Sequence, residues 1–174
     1  NNSDGTLNWS SNTWQEVGES DGATNGGAQV VTDGAQLYVL RPGNNPTNSG
    51  NVQNREMIRQ VDLSTCVTAT LSFDYRWVDF DTNDSVDVDV RLSSSSAWQQ
   101  LVSFVPPSDQ HTLATYQSYS VDISSYRSAT SGIRFDTNFN DGSSADVFYV
   151  DNVRINCLVL PTTTKDSISG GSNP

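Results

Sequence analysis

Ala69-Thr-Leu-Ser-Phe-Asp-Tyr-Arg-Trp77 decides the fold. Ala69, Leu71, Phe73, Tyr75 and Trp77 alternate with Thr70, Ser72, Asp74 and Arg76. Successive side chains of a strand point to opposite faces, so this is a β-strand with one apolar and one polar side. The same pattern recurs downstream. Val86, Val88, Val90 and Leu92 oppose Asp87, Asp89 and Arg91. Tyr119, Val121 and Ile123 form another apolar set, and Ile133, Phe135 and Thr137 oppose Arg134 and Asp136. Further strands are expected over 14–17, 28–31, 36–40, 57–63 and 98–105. In 57–63, Met57 alternates with Arg59 and Val61. With no helical periodicity anywhere, this predicts an all-β fold: a two-sheet antiparallel β-sandwich, of jelly-roll type.

The chain has 174 residues and a formal charge of -11. That length suits one domain with a full core. The apolar share is modest, but four Trp, six Tyr and six Phe supply large rings for a sandwich interior. Nucleic acid and anionic membranes attract Lys and Arg, so neither is an expected partner. No apolar run reaches membrane-spanning length, so no membrane insertion is expected. Nothing at the start reads as a signal peptide, which points to a mature or excised fragment. The domain is expected over 1–160. Residues 161–174 (PTTTKDSISGGSNP) read as a Ser/Thr/Gly-rich linker or tail, implying neighbouring domains in a longer chain.

Near the end stands Ala145-Asp-Val-Phe-Tyr-Val-Asp-Asn-Val-Arg-Ile155. Simple alternation places Tyr149, Val153 and Ile155 on one face with Asp151. A buried unpaired carboxylate costs several kcal/mol or more, so Asp151 needs a partner. A Ca²⁺ shared with the acidic opening loops meets that need. A nest of backbone N–H groups or an arginine would also do so. Ca²⁺ takes six to eight oxygens from carboxylates, carbonyls and water. The candidate ligands are Asp4, Glu16, Asp21 and Asp151. Glu16 lies in the strand-like Trp14-Gln-Glu-Val run, next to the loop that holds Asp21. The Asp-Gly pairs at 4–5, 21–22 and 33–34 also read simply as turns.

Cys66 and Cys157 are far apart in the sequence. In an acidic chain rich in Ser, Thr and Asn they read as a disulfide of an exported protein, against two free thiols. Strand parity groups Cys66 with Thr68 and Thr70, so pairing needs a bulge or a strand end.

Other clusters are weaker. Asp79-Phe-Asp-Thr-Asn-Asp-Ser85 opens with the D-x-D-x-N spacing of an EF-hand loop. It then fails, with Asp84 at the glycine position and Val90 at the glutamate position, and reads as a polar hairpin loop. Residues 41–54 form a long polar loop of the kind often used for binding. Asp74, Arg76, Asp87, Asp89, Arg91, Arg134, Asp136 and Arg154 oppose the apolar sets. If their strands are neighbours they make an Asp/Arg lattice on one sheet, either a solvated face or a platform for sugar hydroxyls. Trp9, Trp98 and Tyr116 are the aromatics that such a platform would use. Catalysis is not expected. His111 is the only histidine, and neither G-x-S-x-G nor H-E-x-x-H occurs.

Several of these segments occur together in a recognisable order. They are Asn2-Ser-Asp-Gly-Thr-Leu-Asn-Trp9, Trp14-Gln-Glu16, Ala69-Thr-Leu-Ser-Phe-Asp-Tyr75, Tyr119-Ser-Val-Asp-Ile123, Ile133-Arg-Phe135 and Phe148-Tyr-Val-Asp-Asn-Val153. Over residues 1–157 the chain resembles MAM-like and carbohydrate-binding-module-like jelly rolls of large secreted or surface proteins of bacteria and archaea. That resemblance implies a structural cation near the chain ends, with Asp151 and Asp4 among its ligands. It also implies a non-catalytic role in adhesion or glycan contact, outside the cell or at its surface, with a glycan or surface protein as partner. The competing expectation is a structural subunit or spacer of a surface filament. An enzyme ranks third and would need two carboxylates facing each other across a cleft.

Overall fold

The computed structural model describes residues 14–17, 27–34, 36–41, 55–139 and 146–161, with only the backbone described for Glu16 and 36–41. Among the described residues there are ten strands: β1 (Gln15–Val17), β2 (Gln29–Asp33), β3 (Gln36–Arg41), β4 (Glu56–Val61), β5 (Thr68–Val78), β6 (Ser85–Arg91), β7 (Gln99–Phe104), β8 (Gln117–Asp122), β9 (Ser131–Asn138) and β10 (Val147–Leu158). One 3₁₀ turn, Ser124–Tyr126, follows β8. The strands form two five-stranded antiparallel sheets. The first sheet has the order β1-β4-β9-β6-β7 and the second has β2-β3-β10-β5-β8. The jelly-roll sandwich expected from alternation is the fold observed.

The apolar sets meet between the sheets. Ala69, Leu71, Phe73 and Trp77 of β5 face Val86 and Val88 of β6 and Ile133 and Phe135 of β9, all buried. Phe73 is the hub. Its ring centroid lies 5.2 Å from Phe135, 5.3 Å from Tyr119 and 6.1 Å from Phe104. Tilted and edge-on rings at such distances add about 0.5–1.5 kcal/mol per pair beyond the area they bury. Arg59 also points inward, beneath Trp14 at 5.8 Å, as the alternation with Met57 and Val61 requires.

Strand order corrects two expectations. Residues 79–85 do not join a hairpin, because β5 and β6 belong to different sheets. They form an arch from one sheet to the other. Asp84 is buried there, its carboxylate accepts the Asp81 N–H at 2.6 Å, and Asp79 has a φ of 56°. The Asp/Arg positions likewise divide between two outer faces. Asp87, Asp89, Arg91, Arg134 and Asp136 belong to the first sheet, and Asp74, Arg76 and Arg154 to the second.

On the first sheet's outer face the carboxylates gather around Arg134. Arg134 donates to Asp89 at 2.8 Å and to Glu56 at 3.1 Å, and lies 3.4 Å from Asp136. Trp98 covers this cluster, 4.3 Å from Arg91 and 4.9 Å from Arg134. Gly132 makes room for that cover, since a Cβ there would sit 2.8 Å from Arg91 Nε and 3.1 Å from the Trp98 ring. Burial pushes the Asp136 carboxyl up to about 6, with Glu56, Asp89 and Asp87 adding to the rise against Arg134.

Cys66 and Cys157 form a disulfide with Cα atoms 5.3 Å apart. Cys66 reaches it from a turn just before β5, where its N–H bonds to Leu63 O, so strand parity does not constrain it. The thiol alternative is thereby removed.

Two outcomes follow from this framework. The bridge spans 91 residues of sequence, and in the chain-entropy model a loop of that size is worth about 4–5 kcal/mol. The Cys66→Ala/Cys157→Ala variant should lose stability of that order in urea denaturation. For Asp136 the folded state holds a proton more tightly than the unfolded chain. Its contribution to stability therefore falls as pH rises through the window from 3.8 to about 6. Relative to Asp136→Asn, the wild type should gain stability as pH drops from 7 to 4.5. A pH-independent difference between the two denaturation series would contradict the raised pKa.

Candidate functional site

Strand β10 begins with Phe148 and Val150 turned into the core and Tyr149 and Asp151 turned outward. Its register against β5 then shifts between Asp151 and Arg154. Asn152 sits at the shift with a φ of 52°. Asparagine is among the few residues that accept this left-handed conformation. A bulge adds one residue to one strand and so exchanges its two faces. Beyond it, Val153 and Ile155 pack inward while Arg154 turns outward.

This corrects the premise on which the Asp151 inference was built. Asp151 shares a face with Tyr149 but not with Val153 or Ile155, and that face is the outer one. Its Oδ1 accepts the Asn152 N–H at 2.7 Å, and its cross-strand neighbour is another acid, Asp74. Asp4 and Asp21 lie outside the described residues, as does the side chain of Glu16. The Glu16 backbone belongs to β1, at the edge of the first sheet, whereas Asp151 faces outward from the middle of the second. Among the described residues no three His, Cys, Asp or Glu side chains gather as a metal-binding group.

What the bulge does assemble is an open trough of about 310 Å³ across β10, β5 and β8, with Phe73 and Tyr119 lining it beside the polar side chains. Register explains its rows. Arg154 pairs with Ser72 and Ser72 with Ser120, while Asp74 pairs with Ser118 next to Asp151 and Asn152. Asp74 is held from both sides: Ser118 donates to its Oδ1 at 2.6 Å and Asn152 Nδ2–H to its Oδ2 at 2.8 Å. Ser72, Ser118 and Ser120 are short, so the centre stays low between Arg154 and the Asp74 pair. The volume lies at the lower end of the range for small-ligand sites, about 300–1,000 Å³.

A rigid polar cluster occupies the next row of the same face. Arg76 grips Asp33 with two 2.6 Å bonds, and the Tyr116 hydroxyl donates to Asp33 at 2.8 Å. The guanidinium lies 4.6 Å from the Tyr149 ring and 5.8 Å from the Tyr116 ring. The bond from Arg76 holds the Asp33 carboxyl below the usual carboxylate range, against its partial burial. Burial, then Asp33, pushes the Tyr116 hydroxyl up. Asp33 went unrecognised in the sequence because Asp-Gly reads as a turn. It does form one, with Gly34 at a φ of 60°, but its carboxylate also reaches across to β5. Tyr116, one of the candidate platform aromatics, is therefore committed to this cluster. Trp98 is committed to the first sheet, and Trp9 lies outside the described residues.

No protein-family model matches the chain. No curated protein sequence matches it either. Solved structures do. A carbohydrate-binding module, TmCBM61, in complex with β-1,4-galactotriose superposes with a TM-score of 0.53 at 10% identity, covering 87% of this chain and 91% of that one. The K3 cleaved adhesin domain of Lys-gingipain from Porphyromonas gingivalis W83 gives 0.52 at 13% identity, with 82% and 90% covered. The K1 cleaved adhesin domain of the same protein gives 0.52 at 14% identity, with 83% and 90% covered. At these identities the likeness is one of fold. The chain has the sandwich architecture shared by carbohydrate-binding modules and adhesin domains.

Proposed function

We propose that this domain is a non-catalytic glycan-binding module that works outside the cell, with the trough on the second sheet as its sugar seat. The observation that carries this reading is the trough's inventory of hydrogen-bonding groups. Asp74 is fixed by Ser118 and Asn152, yet a carboxylate has about four acceptor positions, so each oxygen retains capacity for a sugar hydroxyl. The Ser72 and Ser120 hydroxyls have no hydrogen-bond partner among the described residues. Sugars need donors and acceptors held in place on a firm floor, and β5 is paired on both sides, with β10 and with β8. The fold shared with a galactotriose-binding module supports the reading, and the disulfide supports an oxidising setting.

The calcium proposal stands separately. It now rests on the opening segment, where Asp4, Glu16 and Asp21 supply the acids, and no longer on a buried Asp151.

Each proposal has its own measurement. A glycan array, followed by calorimetry with β-1,4-galactotriose as first probe, should detect binding by the wild type. Ser120→Trp fills the trough and should weaken whatever is bound at least tenfold, about 1.4 kcal/mol, with the melting temperature unchanged. Undiminished binding by that variant would move the site elsewhere. For calcium, EDTA should lower the melting temperature and added Ca²⁺ should restore it. Superimposable melts would reject a structural ion.

A further inference from the structure

The described arginines differ in what holds them. Arg76 is paired with Asp33, and Arg134 with Asp89 and Glu56. Arg127 donates to the carbonyls of Cys66 and Val67. Arg91 lies against Trp98, and Arg59 against Trp14. Arg55 is also engaged. Arg154 differs from all of these. It is exposed and lines the trough, and its side chain makes no hydrogen bond, ion pair or ring contact among the described residues.

That freedom is unexpected on grounds of charge. The chain carries 20 acidic residues against nine Lys and Arg, so carboxylates are abundant. The acids of the neighbouring rows are turned to other partners: Asp74 to Ser118 and Asn152, Asp151 to the Asn152 amide, and Asp122 to Ser124. A guanidinium presents parallel N–H donors in a planar fork that matches a carboxylate. In this trough Arg154 shares its row with Ser72 and Ser120, and no carboxylate of a described residue is paired with it.

The second anchor lies nearby. Ser72 and Asp74 are two residues apart on one strand, about 7 Å. A single sugar ring with its substituents covers that distance. Resting on the trough as the glycan seat, we infer that its ligand is an acidic sugar, a uronate whose ring carboxylate is held by Arg154 while its hydroxyls lie against Asp74, Ser72 and Ser120. The protein's overall negative charge does not exclude such a ligand. At physiological salt the screening length is about 8 Å, so charges elsewhere on the molecule are damped and the contacting fork dominates.

Calorimetry on the intact domain with an oligogalacturonate and with its carboxyl-reduced counterpart separates the possibilities. The uronate should bind at least tenfold more tightly than the neutral sugar, with an affinity that falls as salt rises. Arg154→Gln should erase that advantage while melting as the wild type does. Arg154→Lys, which keeps the charge without the fork, should retain only part of it. Equal or better binding of the neutral sugar would overturn the uronate inference and leave the glycan reading intact. So would a uronate preference that survives Arg154→Gln. If neither sugar binds and the glycan array is blank, the glycan reading fails with it.

Discussion

The outer face of the second sheet depends on one left-handed residue. In an unbroken β10, Arg154 would point into the core and Ile155 into water. Asn152, with its φ of 52°, adds the residue that exchanges them. Ile155 becomes buried and Arg154 enters the trough. The same residue's amide then fixes Asp74 from the side opposite Ser118. Backbone conformation, core packing and the polar site are thus joined at a single position.

Most of the fold was legible because its signal is local. Alternation over 69–77, 86–92 and 133–137 depends only on neighbouring residues, and the strands appear where it put them. The faces of β10 were misjudged because parity was extended through Asp151-Asn152. The clue was present: Val150 and Val153 are three apart, and both cannot face inward on a regular strand. Other facts were not local. Which Asp and Arg residues share a sheet follows from strand order, which alternation does not encode. The Asp33–Arg76 pair joins residues 43 apart, one of them in a turn motif that already had a sufficient explanation.

The two outer faces use similar residues to opposite ends. On the first sheet Arg134 meets three carboxylates, and Trp98 seals the group from above. Such pairs hold a surface in register but contribute little net stability, because desolvation offsets much of the attraction. On the second sheet Arg76 and Asp33 are paired in the same way, but in the neighbouring rows Asp74 and Arg154 are spaced by serines. Among the described residues, this face keeps the Ser72 and Ser120 hydroxyls and the Arg154 guanidinium available for another molecule.

The disulfide gives the domain a particular response to mechanical load. A pull applied at the two chain ends passes from residue 157 directly to residue 66 through the covalent link. Everything between those positions is bypassed by the force. Ser72, Asp74, Ser118, Ser120, Asn152 and Arg154 all lie within the bypassed segment. A tethered copy under tension would thus give up β1 to β4 first, while the hydrogen bonds joining β5, β8 and β10 carried no traction.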